Sequence, residues 1–317
     1  MKIDIIGAYI FFSEETRKKL ESLGTVTHHD CMPNEENFIK FGSDSDAIIT
    51  WGKPTAQAIA GCKNLKYFGY LLTGYDALIG DLELIQTFKD QNITVSYTPT
   101  YSTEAVAEFT VAMTFALAKK VMPAYENLKA NHNEDFMPYE GMTIGQSTVG
   151  VFGLGNIGTS FARKMYHFGA NVLIATPSAD KKLLDFPAKF VSNEELFEQS
   201  DIVVIAAQLN KVTNGIIGKT LLSKLKQKAI VINPARGDIF NLADLYAVVK
   251  KRQDVQVSID VIDQNSDVFK QLIKLPNVYI TPHMASNTME CMKTCTTFAV
   301  ANLSSFLNGG SFDTVKM

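Results

Sequence analysis

Short apolar runs and segments of helical period alternate along the first hundred residues. Five apolar runs predict strands, at residues 2–8, 25–29, 46–50, 65–72 and 93–97. Helical segments lie between them, at residues 13–24, 35–41, 54–60 and 82–89. Strands that alternate with helices favour a parallel sheet covered on both faces, so this part of the chain is predicted to be an α/β domain.

A second alternation follows a long helical segment over residues 103–127 and a glycine-containing connection over residues 137–145. Six apolar runs predict strands, at residues 149–152, 172–175, 202–207, 229–233, 255–260 and 278–281. A long helical segment over residues 284–307 comes last. The second half is therefore predicted to be another α/β domain.

The first strand of this second alternation runs directly into Gly153, Gly155 and Gly158, and a helical segment follows at once. Gly153 allows a tight turn, Gly155 lets the backbone approach a pyrophosphate, and Gly158 lets the helix pack closely on the strand. The pyrophosphate would lie at the positive end of the helix, so Asn156 and Ile157 join the glycines as predicted cofactor-binding residues. Strand, glycine turn and helix together predict a six-stranded dinucleotide-binding domain.

The composition is that of a globular protein and narrows the class of partner. A chain of 317 residues favours two domains, and fractions of 46% hydrophobic and 20% charged residues argue against long disorder. A net charge of −3 gives no reason to expect nucleic acid or an anionic membrane as a partner. Charges interrupt the apolar stretches before spanning length, and the N-terminus lacks a signal-peptide pattern, so we expect a cytoplasmic protein.

The four cysteines, Cys31, Cys62, Cys291 and Cys295, do not form a metal-binding pattern. A tetrahedral site needs three or four ligands, and no His or Cys stands at a suitable spacing beside Cys291 and Cys295. We therefore expect reduced thiols that pack as small hydrophobic side chains, and no metal site.

Two polar side chains stand just past predicted strands of the second half. Arg236 follows the strand at residues 229–233, and His283 follows the strand at residues 278–281. Ligands of parallel sheets bind at such strand ends, where a guanidinium grips a carboxylate in a fork and an imidazole exchanges a proton near neutral pH. Reduction of a 2-keto acid needs a hydride donor, a carboxylate anchor and a proton donor, for which a dinucleotide, Arg236 and His283 are the respective candidates.

The order, spacing and text of these motifs resemble the D-isomer-specific 2-hydroxyacid dehydrogenase family. The matching stretches are residues 105–108, 149–158, 200–201, 233–237, 258–261 and 281–283. The resemblance implies two doubly wound parallel-sheet α/β domains. A flavodoxin-like substrate domain, residues 1–100 plus 287–317, would contain an inserted Rossmann dinucleotide-binding domain, residues 101–286. It also implies a homodimer formed largely through the inserted domain, and closure of the domains around a cleft.

The resemblance implies a role for each polar residue at these strand ends. Arg236 would grip the carboxylate and carbonyl of the keto acid, His283 would protonate the carbonyl oxygen, and Asp260 would orient the nicotinamide carboxamide. Four residues of the first half would bind substrate: Thr73 and Gly74 through backbone N–H groups, and Trp51 and Tyr101 in pocket loops. Further aromatic residues near strand ends would suit an apolar or aromatic keto acid: Tyr9, Phe11 and Phe12.

The chain departs from the family pattern five positions after Asp260. A glutamate that holds the catalytic histidine is replaced there by Asn265. A neighbouring carboxylate raises a histidine pKa, so its loss predicts that the histidine gives up its proton at lower pH. Asp263 or Asp267 would take the place of the glutamate if the loop is shifted, and the sequence leaves these alternatives open.

A second departure concerns the cofactor. NAD enzymes place an acidic residue about 20 positions after the glycine turn to bind the adenosine ribose, and Thr176 stands in its place. Ser178, Lys181 and Lys182 follow, and the lysines would attract a 2′-phosphate. These residues favour NADP(H) and the usual habit of the family favours NAD(H), so both cofactors stay open.

The sequence thus predicts an oxidoreductase, an NAD(P)-dependent D-2-hydroxyacid dehydrogenase acting on the CH–OH group of donors. It would reduce a 2-keto acid to a D-2-hydroxy acid by hydride transfer. The alternative is an NAD(P)-binding redox-sensing regulator, or a weakly active paralogue, on the same fold. Asn265 favours this alternative, whereas Arg236 and His283 favour the enzyme.

Overall fold

The computed structural model describes residues 1–7, 11–132, 135–177 and 184–317. The chain divides into two compact units, and each has its own sheet. The first unit comprises Met1–Ser102 and Asn287–Met317, and the second unit comprises Thr103–Ser286. Which unit binds substrate and which binds dinucleotide stays a prediction from the sequence.

The first unit contains a sheet of five parallel strands. They are β1 (Lys2–Ile6), β2 (Thr25–His29), β3 (Ala47–Thr50), β4 (Tyr67–Tyr70) and β5 (Thr94–Tyr97). Their order is β2-β1-β3-β4-β5. β3 and β4 are buried along their whole length, as expected for strands with helices on both faces.

Short helices connect these strands. They are α1 (Glu14–Glu21), α2 (Glu35–Gly42), α3 (Ala56–Gly61), α4 (Asp76–Ile79) and α5 (Leu82–Asp90). Four of them begin at a side-chain oxygen that accepts a hydrogen bond from a backbone N–H of the first turn. These acceptors belong to Ser13, Asn34, Thr55 and Asp81. The sequence did not predict α4, because four residues are too few to show a helical period.

The second unit contains a sheet of seven parallel strands. They are β6 (Thr148–Phe152), β7 (Asn171–Ala175), β8 (Lys189–Phe190), β9 (Ile202–Ile205), β10 (Ile230–Asn233), β11 (Gln256–Ile259) and β12 (Val278–Ile280). Their order is β12-β11-β10-β9-β6-β7-β8. The two-residue β8 adds one strand to the six predicted. Two parallel sheets with helices confirm the predicted α/β fold class.

The helices of the second unit alternate with its strands. They are α6 (Thr103–Ala118), α7 (Val121–Asn131), α8 (Asn156–His167), α9 (Asn193–Gln199), α10 (Lys219–Leu222), α11 (Leu242–Lys251) and α12 (Asp267–Leu272). β6 pairs with both β7 and β9, so the direction of winding reverses beside β6. Such a switch point is where open α/β sheets bind ligands.

Two predicted helices have different boundaries in the structure. The segment predicted as one helix over residues 103–127 breaks at Lys120, which has a left-handed φ of +56°. Pro123 explains the break, because its ring would clash with the carbonyl of Lys119 in a continuous helix. The last helix, α13 (Met289–Leu307), begins at the capping side chain of Thr288, five residues later than predicted.

All four cysteines are free thiols. Burial raises the pKa of Cys62 and Cys291 to about 11 and that of Cys295 to about 12. Within the described ranges, no three His, Cys, Asp or Glu side chains are grouped to hold a metal ion. A search of the same residues finds no helix with the length and hydropathy of a membrane span.

Candidate active site

The turn between β6 and α8 is built around three glycines. Gly153 has a φ of +95°, and a Cβ there would lie 2.6 Å from the backbone of Ala207. A Cβ on Gly158 would lie 2.4 Å from the carbonyl oxygen of Gly153, so only glycine permits this close approach. A Cβ on Gly155 would meet none of the described atoms within 4 Å. Gly155 therefore borders open space, where a ligand can approach the backbone.

This open space lies at the first turn of α8. Gly155 is the N-cap residue, and among the described residues no side-chain hydrogen bond caps this helix. Asn156 is exposed and Ile157 is half-buried. The N–H groups of a first helical turn lack helical partners and carry a positive partial charge. The end of α8 therefore fits the pyrophosphate of a dinucleotide.

Arg236 lies on a turn that the side chain of Asn233 holds after β10. Asn233 is buried, its Nδ2 donates to the Arg236 carbonyl oxygen at 2.8 Å, and its Oδ1 accepts from the Ala235 N–H at 2.9 Å. The Gly237 N–H donates to the Val261 carbonyl oxygen at 2.6 Å. A Cβ on Gly237 would lie 3.0 Å from that oxygen. The backbone of half-buried Arg236 is thus fixed on both sides.

The turn after β12 carries His283 and is fastened to Asp260, which follows β11. Asp260 is 2% exposed. Its carboxylate accepts from the Thr281 hydroxyl at 2.6 Å and from the N–H groups of Met284 and Ala285 at 2.9 and 3.1 Å. The His283 N–H donates to the Asp260 carbonyl oxygen at 2.9 Å. These bonds hold exposed His283 at a left-handed φ of +53°, which is uncommon for a residue other than glycine.

Strand register places these turns at one edge of the sheet. β10, β11 and β12 are neighbours, and their last residues pair: Asn233 with Ile259, and Ile259 with Ile280. The chain leaves all three strands on the same side, towards Arg236, Asp260 and His283 respectively. The structure therefore brings these three residues to the edge that also carries the glycine turn.

The segment that carries Asn265 forms a turn of its own. Asp263 Oδ1 accepts from the Asn265 N–H at 2.9 Å, and the Ser266 hydroxyl donates to the Asp263 carbonyl oxygen at 2.7 Å. Asp267 begins α12, is 89% exposed and pairs with Lys270 at 3.0 Å. Both aspartates have local bonding roles, which favours Asn265 as the residue at the position of the family glutamate.

Thr176 is half-buried and follows β7 directly. β7 adjoins the glycine turn, because the Gly153 N–H donates to the Ala175 carbonyl oxygen at 2.8 Å. Thr176 therefore lies at the carboxyl edge beside the turn. Ser178 and Lys181, which the sequence also assigns to cofactor binding, and the adjacent Lys182 fall outside the described residues.

In the first unit, Thr73 and Gly74 lie on the loop after β4. Thr73 is exposed and Gly74 is half-buried. The Thr73 hydroxyl donates to the carbonyl oxygen of buried Thr98 at 2.8 Å. The Thr98 N–H donates to the Leu72 carbonyl oxygen at 3.3 Å. These bonds tie the loop after β4 to the segment that follows β5.

Trp51 and Tyr101 differ in exposure. Trp51 is 37% exposed, and its indole N–H donates to the Gly7 carbonyl oxygen at 3.2 Å. Tyr101 is 8% exposed, its carbonyl oxygen accepts from the Cys291 thiol at 3.7 Å, and burial raises the pKa of its phenol. Of the other predicted aromatic residues, Phe11 is half-buried, Phe12 is buried and Tyr9 falls outside the described residues.

Sequence reasoning missed the side chains that hold these turns and loops, namely Asn233, Thr281 and Thr98. Each ends a strand or follows one directly. Buried polar groups are expected to hydrogen-bond with nearby backbone. The available signal was a polar side chain at the end of an otherwise apolar run.

Comparisons with known proteins agree with this arrangement. The family model described as "D-isomer specific 2-hydroxyacid dehydrogenase, NAD binding domain" matches residues 111–285. A Homo sapiens protein named glyoxylate reductase/hydroxypyruvate reductase is 32% identical over 251 residues, which are 78% of this chain and 75% of that protein.

Two solved structures are similar along nearly the whole chain. A D-2-hydroxyisocaproate dehydrogenase has a TM-score of 0.84 and 25% identity, with 99% of each chain covered. An acyclic imino acid reductase in complex with NADPH and D-arginine has a TM-score of 0.83 and 27% identity, with 100% of each chain covered.

The family model covers more than half of the chain, and the human relative exceeds 30% identity over most of it. Both findings confirm the resemblance that the motifs indicate. The fold, the glycine turn and the polar strand ends agree with them. The chain belongs to the D-isomer-specific 2-hydroxyacid dehydrogenase family, a family of oxidoreductases with a nicotinamide dinucleotide cofactor.

Proposed function

We propose that Arg236 and His283 carry out the reduction of a 2-keto acid to a D-2-hydroxy acid at the carboxyl edge of the second unit. One observation carries the assignment: three neighbouring strands end in turns that bear Arg236, Asp260 and His283, in the sheet that also bears the glycine turn. A bound nicotinamide dinucleotide supplies the hydride. The open space at Gly155 and the uncapped end of α8 fit its pyrophosphate.

Arg236 and His283 have different tasks in this reaction. A guanidinium presents a planar fork of N–H donors that matches a carboxylate, so Arg236 anchors the substrate carboxylate and polarises the carbonyl. The imidazolium of His283 gives its proton to the carbonyl oxygen as hydride reaches the carbonyl carbon. In the reverse direction neutral His283 accepts the hydroxyl proton.

Asp260 contributes mainly by holding the His283 turn. A carboxylate has about four acceptor positions, and three donors of the protein already use it. The remaining position suits the amide N–H of a nicotinamide carboxamide. Asp260 would thereby fix the position of the nicotinamide ring relative to His283, the proton donor.

The first unit supplies substrate contacts in this proposal. The backbone N–H groups at Thr73 and Gly74 hold the carboxylate, and partly exposed Trp51 offers an apolar surface to the substrate side chain. Tyr101 is mostly buried, so it would contribute to this region mainly by packing behind the residues that contact substrate. These features favour a keto acid with an apolar side chain.

We propose that the enzyme accepts NADPH as well as NADH. Thr176 places no carboxylate beside the adenosine ribose, so a 2′-phosphate meets no negative charge there. The imino acid reductase that is 27% identical to this chain was solved with NADPH. Kinetics with both cofactors test the proposal. A KM for NADPH similar to that for NADH supports it, and a strong preference for NADH contradicts it, with Thr176→Asp as the matched variant.

We also propose a homodimer formed through α7. Val121, Tyr125 and Leu128 are 54%, 63% and 47% exposed, and their spacing places them along one face. None of the described residues of α7 is buried. Sedimentation tests this proposal: Tyr125→Asp should shift a dimer to monomer, and Ala130→Asp, which adds the same charge at an exposed position on the opposite face of α7, should not. A wild-type monomer would contradict it.

The reductase activity is tested with a panel of 2-keto acids. Purified protein is mixed with NADH or NADPH and each acid, and loss of reduced-nicotinamide absorbance is followed against an Arg236→Ala control. Turnover that the control lacks supports the proposal. A second panel contains ammonia together with each keto acid. The imino acid reductase that resembles this chain suggests reduction of a C=N bond as an alternative reaction.

A redox-sensing regulator is the second candidate, and Asn265 is the residue that favours it. Such a protein binds the dinucleotide without turning over substrate. Tight binding of NADH or NADPH, with no turnover above the Arg236→Ala control for any acid, would favour this candidate over the reductase.

A further inference from the structure

A cavity of about 240 Å³ lies in the second unit and touches none of the predicted site residues. Ile230 and Gln256, which begin β10 and β11, form part of its lining. The same strands end near Arg236 and Asp260, so the cavity lies at the opposite, amino edge of the sheet. We call it the amino-edge cavity, lined by Leu117, Lys120, Glu140, Lys228, Ile230 and Gln256 among others.

The amino-edge cavity carries an excess of positive charge. Lys228 pairs with Glu140 at 2.7 Å, and the side chains of both are more than half exposed. Lys120 is half-buried and has no salt bridge with any described residue. Burial, and then the charge of Lys228, lower the pKa of Lys120. The lining therefore holds two ammonium groups and one carboxylate, and that carboxylate pairs with Lys228. Among the described residues, no carboxylate forms a salt bridge with Lys120.

The backbone around the cavity is held in uncommon conformations. Lys120 and Lys228 both have left-handed φ values, +56° and +58°. Such backbone is unfavourable for lysine and persists only where surrounding bonds hold it. The Met142 N–H donates to the Ala118 carbonyl oxygen at 2.7 Å, and a Cβ on Gly141 would lie 2.6 Å from that oxygen. The lining segment Glu140–Gly141–Met142 is thus hydrogen-bonded to the end of α6.

The rest of the lining is apolar apart from one buried amide. Leu117 and Ile230 are buried, and Gln256 is 4% exposed. Its Nε2 donates to the Leu117 carbonyl oxygen at 3.4 Å, near the upper limit for a hydrogen bond. The lining thus combines two cations, a polar amide and an apolar surface, the mixture expected of a site for a small organic anion.

We propose that the amino-edge cavity binds a small organic anion, whose carboxylate or phosphate group pairs with Lys120 and Lys228. Its carbon atoms lie against Leu117 and Ile230. The volume is below the usual range of about 300–1,000 Å³ for drug-sized ligands, so a molecule of a few carbon atoms fits and a dinucleotide does not. The proposal is independent of the assignment of Arg236 and His283.

Thermal unfolding of the full-length protein tests this site. The probes are inorganic phosphate, glycerol phosphate and butyrate, at matched ionic strength and with NADH present to fill the dinucleotide site. Lys120→Gln and Lys228→Gln remove the cations. Lys119→Gln is the matched control, because it makes the same charge change at an adjacent exposed residue outside the lining.

At about tenfold excess over Kd, a bound anion should raise the Tm of the wild type and of Lys119→Gln by about 2–4 °C. The shift should vanish in Lys120→Gln and shrink in Lys228→Gln. Without anion, Lys120→Gln should be at least as stable as the wild type, because it removes a half-buried charge that Lys228 repels. A larger shift with phosphate probes than with butyrate identifies a phosphate site, and the reverse identifies a carboxylate site.

Absence of any shift in the wild type would overturn the proposal and leave a hydrated cavity only. A shift that persists in Lys120→Gln would place the anion elsewhere and would also overturn it. If Lys120→Gln does not fold, Lys120→Asn replaces it, because asparagine tolerates the left-handed backbone. Titration calorimetry with the same probes then reports the same loss of binding.

Discussion

The turns of the second unit and the loops of the first unit hold their predicted site residues differently. In the second unit, buried Asp260 and Asn233 fix the turns through several bonds each. In the first unit, Thr73 is exposed on a loop tied through its hydroxyl to Thr98, and Trp51 is 37% exposed. The turns that carry the residues proposed for the chemical step are thus held by several hydrogen bonds, whereas the loop proposed to bind substrate is held by fewer. Changes in the second unit should lower kcat, and changes in the first should raise KM.

The largest effect is expected at the proton donor. His283→Asn removes the group proposed to protonate the carbonyl oxygen, so kcat for 2-keto acid reduction should fall by about 10²–10⁴-fold. Steady-state kinetics and dinucleotide binding are measured on the same preparation, and binding should change little. His167→Asn, at the end of α8, is the control. A fall of less than about tenfold for His283→Asn would remove His283 from the chemical step.

A smaller loss of kcat is expected when the hydrogen bonds between Asp260 and the His283 turn are weakened. Asp260→Asn replaces an acceptor of three hydrogen bonds by an amide with one acceptor atom. Charge-assisted bonds contribute about 1.5–3 kcal/mol each, so a loss of one should lower kcat by about 10–100-fold. The Tm should also fall, and the control is Asp254→Asn, which weakens a hydrogen-bonded carboxylate at the opposite edge of the sheet. If only the KM for the dinucleotide rises, with kcat intact, Asp260 acts on the cofactor and does not hold the turn.

In the first unit the expected change is in KM. Thr73→Val removes the hydroxyl bond to Thr98 and leaves the backbone N–H groups in place. A bond of this kind contributes about 0.5–1.5 kcal/mol, so KM for the keto acid should rise by about 2–10-fold with little change in kcat. Thr87→Val, whose hydroxyl bonds only within α5, is the control. If Thr73→Val lowers kcat and leaves KM unchanged, the expected difference between the two units is wrong.

The smallest effect concerns pH. Asn265→Glu restores a carboxylate at the family position, and a negative charge favours protonated His283, so its pKa rises. Reduction needs that proton, and the pH at which kcat/KM falls should therefore move upwards by about one unit. Asn265→Gln is the neutral control. An unchanged pH profile in Asn265→Glu would show that this position does not act on the histidine.

The α/β fold class could be predicted from the sequence, because apolar runs, the glycine turn and the strand ends are each set by neighbouring residues in the chain. Gly153 and Gly158 meet the close contacts expected of the glycine turn. The break at Lys120 was missed because the apolar pattern continues through it, although Pro123 carried the signal. Local pattern outweighed a single residue in that prediction.

The bonds that shape the site could not be read from sequence. The contact of Asp260 with the turn after β12 joins residues more than twenty positions apart. It depends on the register of β11 against β12, which a single sequence does not specify. The resemblance to the family supplied the residues, and the structure supplied the bonds between them.

Hydride transfer is tested most directly with a reduced nicotinamide cofactor that carries deuterium at both C4 positions, by following the label into the keto acid. We expect product of D configuration with one deuterium at C2 for each cofactor oxidised, and slow formation of the same product by His283→Asn. Product without label, product of L configuration, or equal rates for wild type and His283→Asn would contradict it.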